Sequence, residues 1–203
     1  SFPSIFHDIL DIEVAMDEKG NAVATFITVL SNKKQALYAS RLNATMNSWS
    51  AFQSLSDPNN CADFAQVAMD QAGHAIVLWT ERQAQSLVNG PESLKSATMA
   101  RSGKLSQPFV IVDNPVSIRS FQLVVNCPGS AVAIWENEGE GSVRVSTKPI
   151  GNNWSPAFTL SDTGSSSRVA LNDHGDAIAI WEESSLDKQI IMSSSSFNAG
   201  CFR

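Results

Sequence analysis

The chain has 203 residues, 14 basic and 20 acidic, for a net charge of −6, and 43% of them are hydrophobic. That length and apolarity can bury a core as one domain or two small ones, while the mild acidity argues against nucleic-acid binding, which needs a basic patch. No apolar run reaches the 18 or so residues of a membrane-spanning helix, and Ser1 to Leu10 lack the basic start and apolar core of a secretion signal.

In chain order, Phe2-Pro3-Ser4-Ile5-Phe6 is a shortened form of segments that return later. The first full unit is Val14 to Phe26. It is an apolar run, Asp17, two variable residues, Gly20, a polar residue, and a second apolar run closed by Phe26. The unit recurs at Val67 to Trp79, Leu123 to Trp135 and Val169 to Trp181, with Asp70, Asn126 and Asn172 in the acid or amide place and Gly73, Gly129 and Gly175 in the glycine place. Asp or Asn opens a type I turn by accepting a bond from the backbone two residues on. Gly three residues later takes the left-handed conformation that closes such a turn with a bulge. Each unit therefore reads as a tight β-hairpin, with runs of strand length.

These runs do not alternate. Ala75-Ile76-Val77-Leu78-Trp79 is apolar throughout, so both faces of the strand should be buried, whereas an antiparallel sheet with one wet face would alternate. Blades fanned round an axis cover each strand from both sides. Ala follows the glycine by two residues in all four copies (Ala22, Ala75, Ala131, Ala177) and the aromatic by six. The small side chain lets blades approach, and the large one fills the widening gap further out.

Two further elements recur between the hairpins. Gln35 to Arg41, Ser96 to Arg101, Ser142 to Lys148 and Gln189 to Ser194 are short polar-edged strands, suited to an exposed outer edge. Trp49-Ser50-Ala51-Phe52, Leu105-Ser106-Gln107-Pro108-Phe109 and Trp154-Ser155-Pro156-Ala157-Phe158 each follow a turn and read as the lead into the next blade's innermost strand. The tail, Asn198 to Arg203, fills the place of a fifth such segment. The turn glycines are roughly 50 residues apart, close to the period of propeller blades. The expectation is an all-β chain: a β-propeller or propeller fragment, four blades of four antiparallel strands, one domain over 1–203 with blades at about 2–46, 47–103, 104–151 and 152–197. The end blades can be satisfied by a closed four-blade ring, by a homodimer completing eight blades, or by a longer array from which this is a piece.

No catalytic constellation emerges. A sialidase-like hydrolase needs a Tyr nucleophile with a carboxylate partner, an arginine cluster and an acid, and the one tyrosine, Tyr38, falls on an outer strand. His74 and His174 sit in turns of non-adjacent blades and His7 stands apart, so metal ligation is not expected. There is no GxSxG elbow. Glu138-Gly139-Glu140-Gly141 lacks the ligand spacing of a calcium loop. Asn43-Ala44-Thr45 and Asn153-Trp154-Ser155 match the glycosylation pattern, as chance allows in so Asn- and Ser-rich a chain. Cys61, Cys127 and Cys201 are odd in number and form no CxxC pair, so free thiols are expected, not a disulfide framework or a zinc site. No catalytic residue, cofactor or metal is expected. Few Lys, many Ser and Asn, and repeated Trp lean towards an extracellular or cell-surface bacterial protein.

The block Val67-Ala68-Met69-Asp70-x-x-Gly73-x-Ala75 is similar to the core of NHL-type propeller repeats, and Asn153-Trp154-Ser155-Pro156 resembles the Trp-Ser blade starts of lectin-type bacterial propellers. The likeness covers all four units. It implies the propeller fold and, for the lectin type, a sugar held between adjacent blades by an aromatic, an acid and an Arg. The residues that fit are Trp79 with Glu81, Trp135 with Glu136, Trp181 with Glu182, and Arg101. Packing by the Trp residues and solvation of the acids explain the same pattern. The sialidase Asp-box also sets Asp, Gly and Trp near a hairpin, but in another order and spacing, so its active site is not carried over. The reading is a non-enzymatic binding or interaction scaffold for a protein or glycan ligand, without nucleic acid or membrane span. The alternative is a fragment of a larger propeller enzyme, glycosidase- or lyase-like, whose active residues lie outside this chain.

Overall fold

A computed structural model describes residues 8–83, 91–114, 117–139, 141–185 and 188–196. The described residues form strands and turns without a helix, in four antiparallel sheets. The first sheet holds β1 (Asp8–Met16), β2 (Ala22–Val29), β3 (Gln35–Asn43) and two short pieces of one outer strand, β4 (Ser48–Trp49) and β5 (Gln53–Ser54). The second holds β6 (Asn60–Met69), β7 (Ala75–Gln83), β8 (Glu92–Met99) and β9 (Phe109–Asn114). The third holds β10 (Ile118–Val125), β11 (Ala131–Asn137), β12 (Val143–Lys148) and β13 (Phe158–Ser161), and the fourth β14 (Gly164–Leu171), β15 (Ala177–Ser185) and β16 (Lys188–Ser196). The sheets are the four blades of a β-propeller fold.

The four hairpin turns form as their sequences dictate. Gly20, Gly73, Gly129 and Gly175 have φ of 80°, 86°, 101° and 86°, and each donates its N–H to the carbonyl of the Asp or Asn three residues before, at 3.0–3.2 Å. The carboxyl or amide oxygen of that same residue caps the turn, as when Asp70 Oδ1 accepts the His74 N–H at 2.8 Å and Asn172 Oδ1 that of Asp176 at 2.8 Å.

The Trp-Ser segments correct the strand assignment. They pair with the third strand of the sheet they follow, as its outer strand, and do not open the next blade: Trp49 lies opposite Leu42, Phe109 opposite Ser96 and Phe158 opposite Val145. The serine is the reason. Ser50 donates its N–H to the Arg41 carbonyl at 2.8 Å and accepts the Arg41 N–H on its Oγ at 3.0 Å. Ser106 does the same to Thr98 and Ser155 to Thr147. The segment is thus fastened to the strand the chain has just left. The sheets accordingly span 8–54, 60–114, 118–161 and 164–196, and the third strands read as outer edges are covered in the first three sheets.

Sheet stacking buries both sides of the middle strands. Each sheet has a near face towards the sheet before it and a far face towards the sheet after it. One core joins the far face of the first sheet (Val23, Ile27, Leu37) to the near face of the second (Val67, Ala75, Val77, Trp79). The next joins Ile76, Leu78 and Leu94 to Leu123, Ala131, Ala133 and Trp135, and the last joins Val132, Ile134 and Val145 to Val169, Ala177, Ala179 and Trp181. The first strands of the sheets, β1, β6, β10 and β14, pack in succession along one side of this stack, the axial side.

Candidate functional site

The sequence-derived sugar site does not assemble. Trp79, Trp135 and Trp181 are buried in the near faces of their sheets, where no ring face is open to a sugar. Their role is packing, the alternative reading of the same residues. Glu81 is buried too. It accepts bonds from Trp79 Nε1 at 3.1 Å, Asn60 Nδ2 at 2.8 Å and the Asp57 N–H at 3.2 Å, and pairs with Lys95 Nζ at 2.5 Å. Four donors on one carboxylate make it a tie between β7, β8 and the loop before β6. Glu136 is buried between sheets and accepts the Ser167 N–H and Oγ–H at 2.6 and 2.9 Å. Glu182 is half-buried, and the acid that meets Trp181 is its neighbour Glu183, which accepts Nε1 at 3.0 Å and Ser161 Oγ at 2.6 Å.

Arg101 lies at the other end of the blade. The β7–β8 register sets Ala75 opposite Met99 and Glu81 opposite Ser93, so Arg101 belongs with the hairpin turns and Glu81 with the far end of the strands. There Arg101 stands by Arg41, whose guanidinium is buried beside Asp17 and Asp70. A methyl group on Gly73 would come within 3.1 Å of Asp17 Oδ2 and 3.2 Å of Arg41 Nη2, so this end is filled by the turns of neighbouring blades. His74 in the same region has its Nδ1 2.9 Å from Asp70 Oδ2, Tyr38 stacks on Phe26 with centroids 5.6 Å apart, and Cys61 and Cys127 are free thiols. His7, Cys201, Glu140 and most of the Gln83 to Glu92 insertion lie outside the described residues. Among the described residues no group of three or more His, Cys, Asp or Glu is placed to hold a metal ion.

A different cluster lies on the axial side. Inner strands β1, β6 and β10 enclose a cleft of about 260 Å³ lined by Asp11, Glu13, Phe64, Gln66, Arg119 and Phe121. Strand geometry explains the set: Asp11 and Glu13, two apart on β1, pair with Ile27 and Thr25 of the far face, so both carboxylates turn towards the second sheet. Asp11 Oδ2 accepts the Ala65 N–H at 3.1 Å, fixing β6 against β1. Gln66 spans the next gap, accepting the Leu123 N–H at 2.7 Å and donating to the Phe121 carbonyl at 3.1 Å. Phe64 leaves 57% of its surface exposed at the mouth, and Arg119 is exposed beside it. Burial, and then the Asp11 carboxylate, push the Glu13 carboxyl above its ordinary range. The cleft thus offers an aromatic face, one cationic donor and two carboxylates. One signal in the sequence pointed here: a polar residue seven before each turn glycine, at Glu13, Gln66, Gln122 and Arg168.

The sequence matches no protein-family model and no curated protein. Solved structures do resemble the fold. The NanB sialidase of Streptococcus pneumoniae aligns at a TM-score of 0.61 and 9% identity, over 98% of this chain and 51% of that one. The Hadza microbial sialidase Hz136 aligns at 0.58 and 12%, over 93% and 44%. The Penicillium chrysogenum α-L-arabinanase aligns at 0.55 and 9%, over 98% and 65%. At such identities the likeness establishes the β-propeller fold. It is a likeness to sialidase and arabinanase propellers, and the NHL-like or lectin-like character of the repeat is not part of it. The chain spans less than two thirds of the length of these three proteins. No helix among the described residues is long and apolar enough to cross a membrane.

Proposed function

We propose that this chain is a carbohydrate-binding portion of a propeller, with the sugar held in the axial cleft. The observation that carries the reading is the convergence of Phe64, Arg119, Asp11 and Glu13 from three successive inner strands. Sugar rings present C–H faces that suit an exposed aromatic and hydroxyls that donate to carboxylates and accept from a guanidinium, the mixture of apolar wall and few polar groups that small-ligand clefts use. An extracellular or surface location, where glycans are met, goes with it. The test is calorimetric titration with arabino-oligosaccharides and with sialyllactose. Phe64→Ala and Arg119→Ala should each weaken binding at least about tenfold while the circular dichroism of the fold is unchanged. Lack of binding to either sugar class, or binding indifferent to both variants, sinks it.

A second reading is favoured by the nature of the similar structures and the share of them that this chain spans: a piece of a propeller glycosidase, with further active residues supplied by other blades. Glycoside hydrolysis uses two carboxyl groups, one of them kept protonated. The Glu13 carboxyl, raised beside Asp11, would be this chain's contribution. Glu13→Gln in the longer protein should then abolish turnover of an aryl arabinoside or sialoside while leaving sugar binding within a few-fold. Loss of both together would favour a binding role.

A further inference from the structure

We propose that the exposed near face of the first sheet and the exposed far face of the fourth are halves of one interface, joined head to tail between two copies of this chain. Six residues before the turn glycine stand Val14, Val67, Leu123 and Val169. The last three are buried in the seams between sheets, while Val14 on β1 is 63% exposed. The positions two residues to either side behave alike, with Ile12 and Met16 both exposed where Ala65 and Met69 pack against the first sheet. On the opposite side of the repeat, three and five residues after the glycine, stand Ile76 and Leu78, Val132 and Ile134, and Ile178 and Ile180. The first two pairs are buried far-face residues, whereas Ile178 is 50% and Ile180 42% exposed. The first sheet therefore shows an uncovered near face and the fourth an uncovered far face. The fold has already built that junction three times, always near face on far face.

The axial strands supply a polar match. Gln66 and Gln122 each reach from a far face to the backbone of the next inner strand, at Leu123 and Val169. Arg168 holds the same repeat position on β14, opposite Ile180, and is exposed. In the joined pair Arg168 would donate to the Ile12 carbonyl of the second copy, which stands in the place of the Phe121 carbonyl that accepts from Gln66. A second copy is the occupant because the complementary surface is displayed on this chain itself, and a near-on-far contact is heterologous, so two copies close only by using both junctions. The axial cleft would then be walled by inner strands of both copies.

Light scattering on the 203-residue chain tests this. The expected result is twice the chain mass. Val14→Glu and Ile180→Glu, both at exposed positions and so harmless to the fold by circular dichroism, should each give the single-chain mass alone. An equimolar mixture should regain a doubled mass, more weakly than wild type, because the intact far face of the first variant meets the intact near face of the second at one junction while the other, with both substitutions, stays open. A wild-type chain of single mass at 100 μM overturns the proposal. So does a Val14→Glu chain that still pairs alone, which would mean far face on far face, and so does association unaffected by either variant.

Discussion

Trp79 and Trp135 occupy the same repeat position and are equally buried, yet their indole N–H groups are treated differently. Trp79 Nε1 donates to Glu81 at 3.1 Å, whereas Trp135 Nε1 is buried without a hydrogen-bond partner among the described residues. Replacing either with Phe removes one ring's worth of packing. Only Trp79→Phe also strips a donor from a buried carboxylate, a loss of about 1.5–3 kcal/mol for a bond to a charged group. Trp79→Phe should therefore be the more destabilising by roughly that amount in urea unfolding. Equal midpoints would show that the Glu81 bond contributes nothing net. Glu13 gives a second residue-scale expectation. Its carboxyl is raised in the folded protein by burial and by Asp11, so the folded state holds the proton more tightly than the unfolded one. The favourable contribution is present below the ordinary glutamate range, about pH 4.3, and is lost as pH rises through the raised value. Asp11 on its own strand and Gln66, Arg119 and Ser120 across the cleft are the charged and polar side chains lining the cleft with it. Glu13→Gln should gain stability relative to wild type between pH 4 and pH 7. A difference constant with pH would contradict the raised carboxyl.

At the scale of elements, legibility followed the range of the interaction that fixes each one. The hairpin turns could be read because each closes within four residues, as where the Asp70 carbonyl accepts the N–H of Gly73 at positive φ and the Asp70 carboxylate that of His74. The buried middle strands could be read because an unbroken apolar run such as β7 has one physical solution, cover on both faces. The outer strands could not. Trp154-Ser155 carries the same letters whether it begins a new sheet or closes an old one, and what decides is the Ser155 Oγ reaching back to the Thr147 N–H at 3.1 Å. The candidate site was hidden for a similar reason. Asp11, Phe64 and Arg119 are scattered along the chain and meet only because the inner strands stack. The acids that looked adjacent to the Trp residues were claimed by local needs: Glu81 by four donors, Glu136 by the Ser167 backbone.

For the whole molecule, the stack is a one-dimensional array in which each sheet draws stability from its own strands and from the neighbours it touches. The second and third sheets have two neighbours. The fourth has one, holds three strands among the described residues, and leaves Ile178 and Ile180 about half exposed. Full burial of an isoleucine is worth about 1.5–3 kcal/mol, so two half-covered side chains leave the fourth sheet short of its counterparts by about 2 kcal/mol. Local opening should follow that deficit rather than the global unfolding free energy. In the Val14→Glu chain, which by the proposed pairing would stay single, amide exchange should be slowest in β7 and β11. The β15 and β16 amides should exchange through an opening about 2 kcal/mol or more cheaper. The wild-type chain at high concentration should then recover β15 protection, since the face that exposes those two isoleucines is the one a second copy would cover. Protection in β15 equal to that in β7 in the single chain would mean that the last sheet is held by something other than its packed near face.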